Sequence, residues 1–281
     1  MGQFWRAPKN YTEGSLSTAK SLVQSARSLL AGKGEDFIAS YVNVIYACIS
    51  MSAHSADAGV VSEAIDVLLG AHAFFAAHKH SAYQARAANE LALAYLRQAK
   101  NTPALAGPLL QDAEKYAREV DAFGADPAQA RWRCNAAVVL SRIARAQGFW
   151  PEAERTARTA LDLSLSKHIR FCEIDARIAL GEALLGQAAN PAALKGAVDV
   201  FEEALAKSRG ENSKVQSLLH LHLARCNLRM RRLGLAVWHF ERAKDAGKEN
   251  ENAFVRDLES EVSRELSGAR ADFLVTFDLR R

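Results

Sequence analysis

The sequence predicts an all-α fold of antiparallel helix pairs, and three observations carry that prediction. Among 281 residues there are only six prolines and sixteen glycines, while alanine, leucine, glutamate and arginine dominate, a composition of helices that disfavours a sandwich or barrel. Apolar residues recur at three-and-four spacing along almost the whole chain, which places them on one face of a helix. A pattern of small residues also returns five times at intervals too long for one helix and too regular for chance.

The elements follow in order. From Ser15 to Ala31, apolar residues at 16, 19, 22, 23, 26, 29 and 30 form one stripe that needs a neighbour to cover it. Helical runs continue at 36–52, 58–77, 82–100, 103–122, 127–148, 151–167, 169–188, 192–209, 213–231, 234–247 and 250–267. Pro103, Pro127, Pro151 and Pro191 stand where a first-turn proline is tolerated, and Asp126, Asn190 and Asn212 are placed to cap. Linkers are short, so successive helices should pack as antiparallel neighbours. No Gly/Ser linker marks a domain boundary. The expected organisation is a single helical-repeat domain over 1–281, with an N-terminal arm and helix at 1–35, five helix pairs at 36–247, a capping helix at 248–268 and a tail at 269–281. Ala253, Phe254, Leu258, Val262 and Leu266 form the apolar side of the capping helix. In the tail, Phe273, Val275 and Phe277 alternate as in a strand, either folded back on the helices or serving as a hook for a partner.

The recurring pattern is Ala64, Leu68, Ala71; Ala106, Leu110, Ala113; Ala153, Ala157, Ala160; Ala197, Phe201, Ala204; and Ala236, Phe240, Ala243. Positions four and three apart share a helix face. Alanines there let two helices approach closely, while the larger residue fills the gap between hairpins. The preceding helix of each pair carries a large apolar residue followed by a small one: Leu91–Ala92, Leu140–Ser141, Leu180–Gly181 and Leu223–Ala224.

This resembles the tetratricopeptide repeat. The clearest copy runs from Arg131 to Ala160, with Leu140, Ser141, Ala144, Gly148, Trp150, Ala153, Ala157 and Ala160 at the family's spacing, and a second gapless copy runs from Ser217 to Ala243. Between the last alanines of successive copies the periods are 42, 47, 44 and 39 residues, against about 34 in the standard repeat. The resemblance implies a right-handed superhelical α-solenoid with lengthened repeats, and a concave groove lined by the first helix of each pair.

Residue chemistry narrows the function classes. The histidines of "HKH" at 78–80 and "HLH" at 220–222 point about 200° apart on a helix and cannot share an ion. Cys48, Cys134, Cys172 and Cys226 lie 38 or more residues apart and read as small buried hydrophobes in a reducing compartment. Arg232 and His239 resemble the arginine–histidine pair of HEPN-type ribonucleases, but here they straddle a turn and an alanine-matched helix, a context that argues against catalysis. Neither a Gly-rich phosphate loop nor a nucleophile elbow stands out. The expectation is a non-enzymatic protein with no cofactor and no metal.

The net charge of +4 is a mild positive bias, weaker than the basic blocks of a dedicated nucleic-acid binder. No apolar run reads as long enough to span a bilayer, and residue 6 is Arg where a myristoylation signal wants Ser or Thr. Residues 1–34 hold one acid against five bases, the look of a mitochondrial transit peptide. A retained first helix and an intracellular, cytoplasmic location are expected, with a mitochondrial one the alternative.

A polar stripe on the first helices supplies the candidate groove: Arg86, Asn89 and Arg97; Asn135, Arg142 and Arg145; Asp175 and Glu182; Arg225 and Arg229. One reading is a solvated face. The other is a cradle for carboxylates, which guanidinium groups grip bidentately. The groove reading leads to an adaptor or scaffold binding an acidic protein or peptide, or a subunit of a larger assembly. An RNA-binding helical repeat, or the sensor module of a multi-protein regulator, is the alternative.

Overall fold

The computed structural model describes residues 13–30, 36–53, 57–123, 130–208, 213–247 and 253–278. These form twelve α-helices and one short 3-10 turn, with no strand among the described residues. They are α1 (Glu13–Leu30), α2 (Phe37–Ala53), α3 (Ala58–Ala77), α4 (Ser81–Asn101), α5 (Ala106–Ala122), α6 (Ala130–Ala146), α7 (Trp150–Ser166), α8 (Arg170–Gly186), α9 (Pro191–Lys207), α10 (Ser213–Arg229), α11 (Leu233–Gly247) and α12 (Ala253–Asp278). The chain divides into two compact units, one over 13–179 and one over 180–281, with the boundary inside α8.

Local signals account for the helix starts. Asp57 caps α3 by accepting from the Gly59 and Val60 amides at 2.8 and 3.3 Å. Asp36 does the same for α2 through Ala39, and Asn190 for α9 through Ala192, with Pro191 in the first turn. The expected caps Asp126 and Asn212 lie outside the described residues, as does Pro127. Pro103 opens a 3-10 turn at 103–105, so α5 begins three residues later than the sequence predicts.

Four turns share one way of stopping a helix. Lys79, Gly148, His168 and Arg231 have φ of 57, 80, 54 and 58°. In each case the next amide reaches back to a carbonyl five residues earlier: His80 to Phe75, Phe149 to Ala144, Ile169 to Ser164 and Arg232 to Asn227, all at 2.8 Å. This left-handed closure satisfies the orphaned carbonyls of a helix end and reverses the chain within two or three residues.

In the first unit, α1 to α6 pack in sequence, and α2 also packs on α4 and α4 on α6. Alternate helices thus form a layer of their own, as a helical repeat requires. In the second unit α9, α10, α11 and α12 pack in sequence, and α10 also touches α12. The alanine pattern forms the helix contacts. Ala64, Leu68, Ala71, Leu110, Ala113, Ala153, Ala157, Ala160, Ala197, Phe201, Ala204, Ala236 and Ala243 are all buried, and only Ala106 and Phe240 are partly covered.

Equivalent hydrogen bonds fix the register of the two gapless copies. The Cys134 thiol donates to the Ala160 carbonyl and the Ser217 hydroxyl to the Ala243 carbonyl, each across 26 residues. Ser141 adds a further link from α6 to the Ala153 carbonyl at 2.7 Å.

The structure differs from expectation in three respects. In α1, Ala19, Val23, Ala26 and Leu30 are partly covered, while Leu22 and Leu29 are exposed. Arg27 lies 4.0 Å over the Tyr46 ring and 3.7 Å from Glu63, tying α1 to the helices that follow it. Second, α3 is long and apolar enough to cross a membrane by length and composition, contrary to the sequence reading. It is a core helix here, burying Val61, Ile65, Leu68, Phe74 and Phe75. Third, α12 continues to Asp278, so Phe273, Val275 and Phe277 are helical and the strand-like tail is corrected. No proline interrupts 268–278, and a helix satisfies its backbone internally where a strand would need a sheet. Val255, Leu258, Val262 and Leu266 of α12 are buried against Leu221, Ala224, Ala236 and Ala243; the side chains of Ala253 and Phe254 lie outside the described residues.

Candidate functional site

Helical periodicity and the packing of alternate helices assemble the site in the first unit. On α4, Arg86, Glu90 and Arg97 are four and seven residues apart and share a stripe, as do Arg131, Asn135 and Arg142 on α6. Because α4 packs on both α2 and α6, these stripes adjoin each other and reach Tyr41 and Cys48 of α2. The Arg86 guanidinium lies 5.1 Å from the Tyr41 ring centre, and Arg131 lies 4.9 Å over Trp132. Asn135 Oδ1 accepts from the Cys172 thiol at 3.2 Å.

Charges of both signs meet on this face. Burial pushes the Arg97 guanidinium below its ordinary range; Glu90 and Cys48 oppose that shift, and the neighbouring Arg142 adds to it. Arg131 is lowered for the same first reason, with Arg86 adding to the shift and Cys172 and Glu90 opposing it. Glu90 therefore sits among Arg86, Arg97 and Arg131, and beside the Cys48 thiol, whose pKa is raised first by burial and then by this carboxylate. Among the described residues, Arg97 and Arg142 form no ion pair. Asn89 is 2% exposed and its Oδ1 has no hydrogen-bond partner among the described residues.

The other residues expected in the groove fall into different settings. Arg86 and Asn89 are buried, Arg97, Asn135, Arg142 and Arg145 are partly covered, and Asp175 on α8 is exposed. In the second unit, Glu182 is buried 3.4 Å from His222, whose ring stacks on Phe201 at 4.8 Å. Arg225 turns to α12, meeting Glu265 at 3.3 Å and Glu261 at 3.9 Å, so it joins the last helix to α10. Arg229, at the end of α10, is exposed. Phe273, Val275 and Phe277 lie in α12, and their side chains are outside the described ones.

The two "HLH" histidines diverge as the helix angle requires. His222 meets Glu182, while His220 faces α11, its Nδ1 3.0 Å from Nδ1 of His239. Burial and then His220 lower the His239 pKa to about 4. Arg232 stays exposed at the α10–α11 turn. No three His, Cys, Asp or Glu side chains gather as a metal site among the described residues.

Sequence reasoning missed three members of the arginine face. Arg131 stands four residues before Asn135 and eleven before Arg142, so the same periodicity could have found it. Glu90 and Cys48 carry no comparable signal, because their place depends on how α2 meets α4. No protein-family model matches the chain, and no curated protein matches it significantly.

Proposed function

We propose that the chain is a non-enzymatic scaffold, a right-handed superhelical α-solenoid of the tetratricopeptide kind, that holds an acidic segment of a partner protein against the arginine face of α4 and α6. The observation that carries this reading is Arg97 beside Arg142: two guanidinium groups share a partly desolvated site with no ion pair to either. Like charges so placed repel, and an arriving carboxylate relieves the repulsion while accepting charge-assisted, bidentate hydrogen bonds. The mild net charge of +4, and an acid, Glu90, set among the arginines, favour a short acidic stretch over a long uniform polyanion.

The test is fluorescence anisotropy of a labelled glutamate-rich peptide against wild type and an Arg97→Glu/Arg142→Glu variant. Binding should weaken roughly ten-fold or more, on the order of 1–3 kcal/mol, with the thermal melt nearly unchanged. Equal binding by both proteins would remove the arginine face from the account. Tighter binding of single-stranded RNA than of the peptide, falling steeply with salt, would favour an RNA-binding repeat instead.

A further inference from the structure

Folding places side by side two thiols that the sequence keeps far apart. Cys134 lies on α6 and Cys172 on α8. Cys172 Sγ is 3.2 Å from Asn135 Oδ1 and 3.8 Å from the Arg131 carbonyl, so it is seated on the turn of α6 that carries Cys134. Cys134 Sγ lies 3.4 Å from the Ala160 carbonyl, and both residues are fully buried free cysteines. The other two cysteines stand elsewhere, Cys48 against Glu90 and Cys226 on α10.

We propose that Cys134 and Cys172 are a dithiol that closes to an intramolecular disulfide joining α6 to α8. The oxidant is a low-molecular-weight disulfide such as glutathione disulfide. One cysteine thiolate attacks a sulfur of that reagent, forming a mixed disulfide and expelling one glutathione thiolate. The second cysteine attacks the protein-bound sulfur, forms the Cys134–Cys172 bond and expels the other glutathione. The two thiol protons go to the two leaving thiolates, and two electrons pass from the protein to the reagent. Closure brings the two sulfurs to about 2 Å. The Cys172 thiol is held in the protonated form, its acidity suppressed by the neighbouring Cys134 and then by burial. Reaction therefore proceeds through local opening of the helices and is slow compared with that of an exposed thiol. Closure would link two helices across α7 and remove the S–H donor from Asn135. Any effect on peptide affinity rests on the binding reading above; the disulfide itself does not.

The test uses the full chain with Cys48→Ala and Cys226→Ala, incubated with glutathione disulfide, quenched by alkylation and read by intact mass and peptide mapping. The expected product has lost two hydrogens, retains no glutathione, shows a Cys134–Cys172 cross-linked peptide, and melts at a higher temperature than the reduced chain. Stable glutathione adducts, or two thiols still alkylated after denaturation, would overturn the proposal. Should the double-alanine chain fail to show a helical, cooperative melt, the same mapping on wild type decides: the 134–172 link should exceed every pairing with Cys48 or Cys226, and indiscriminate pairing refutes it. Peptide binding plays no part in this readout, so its failure would leave the result intact.

Discussion

Replacing Gly181 by alanine should destabilise the protein even though helix propensity favours the change. A Cβ built at Gly181 would lie 2.6 Å from Cε1 and Cζ of Phe201 and 2.9 Å from Cδ1. Carbon atoms pack at about 3.5–4.0 Å, so the ring would have to retreat by roughly 1 Å. It has little room to go: Phe201 is fully buried and its ring stacks on His222. Overpacking of this kind costs about 1–3 kcal/mol, and the gain from removing a mid-helix glycine offsets only about 1 kcal/mol of it. Gly196 supplies the control, since a Cβ there meets only Leu184 Cδ1 at an ordinary 3.6 Å. Gly196→Ala should therefore stabilise by about 0.5–1 kcal/mol. The assay is the urea midpoint followed by circular dichroism. Adding Phe201→Leu to Gly181→Ala should cost less than the two single effects combined, with a coupling on the order of 1 kcal/mol. If Gly181→Ala proves as stable as Gly196→Ala, the large-against-small packing between repeat positions is not what seats Phe201.

Three further outcomes follow from the same geometry. Ala204→Leu should destabilise by about 1–3 kcal/mol in urea unfolding, against no more than about 0.5 kcal/mol for the neighbouring Glu203→Ala, because only Ala204 is buried; equal effects would contradict the repeat alignment. A chain ending at Gly247 loses Val255, Leu258, Val262 and Leu266 from their contacts with α10 and α11 and should aggregate or melt well below the full chain; unchanged solubility and melting would show that α12 is dispensable. Acid should weaken the His220–His239 contact. With the His239 pKa lowered to about 4, the neutral ring's contribution is complete above the ordinary value of about 6.5 and is lost as pH falls from there towards 4, by up to roughly 3 kcal/mol. The urea midpoint should track that window, and the slope should flatten in His239→Gln; an unchanged slope would refute the assignment.

What the sequence made legible was whatever repeats along one helix. The alanine positions predicted the buried faces because spacing by four and three is a property of a single helix and survives any arrangement of its neighbours. The 3-10 turn at Pro103 and the left-handed residues Lys79, His168 and Arg231 escaped notice because only Gly148 among the four turn residues advertises its conformation. The helical tail was missed because Phe273, Val275 and Phe277 fit strand alternation locally, while the absence of a partner strand is a global fact. In the candidate site, the α4 and α6 stripes were readable, but Glu90 among the arginines, Arg225 turned to Glu265, Glu182 against His222 and the Cys134–Cys172 contact each depend on which helices meet, and periodicity within one helix is silent about that.

Whether an acidic segment lies against the arginine face of α4 and α6 is decided by hydrogen–deuterium exchange of the full chain with and without a saturating glutamate-rich peptide. Exchange should slow in α4 and α6 around Arg86–Arg97 and Arg131–Arg145, with none of this slowing in the Arg97→Glu/Arg142→Glu variant. Protection confined instead to α11 or α12, or protection of α4 and α6 that survives the double reversal, would contradict it.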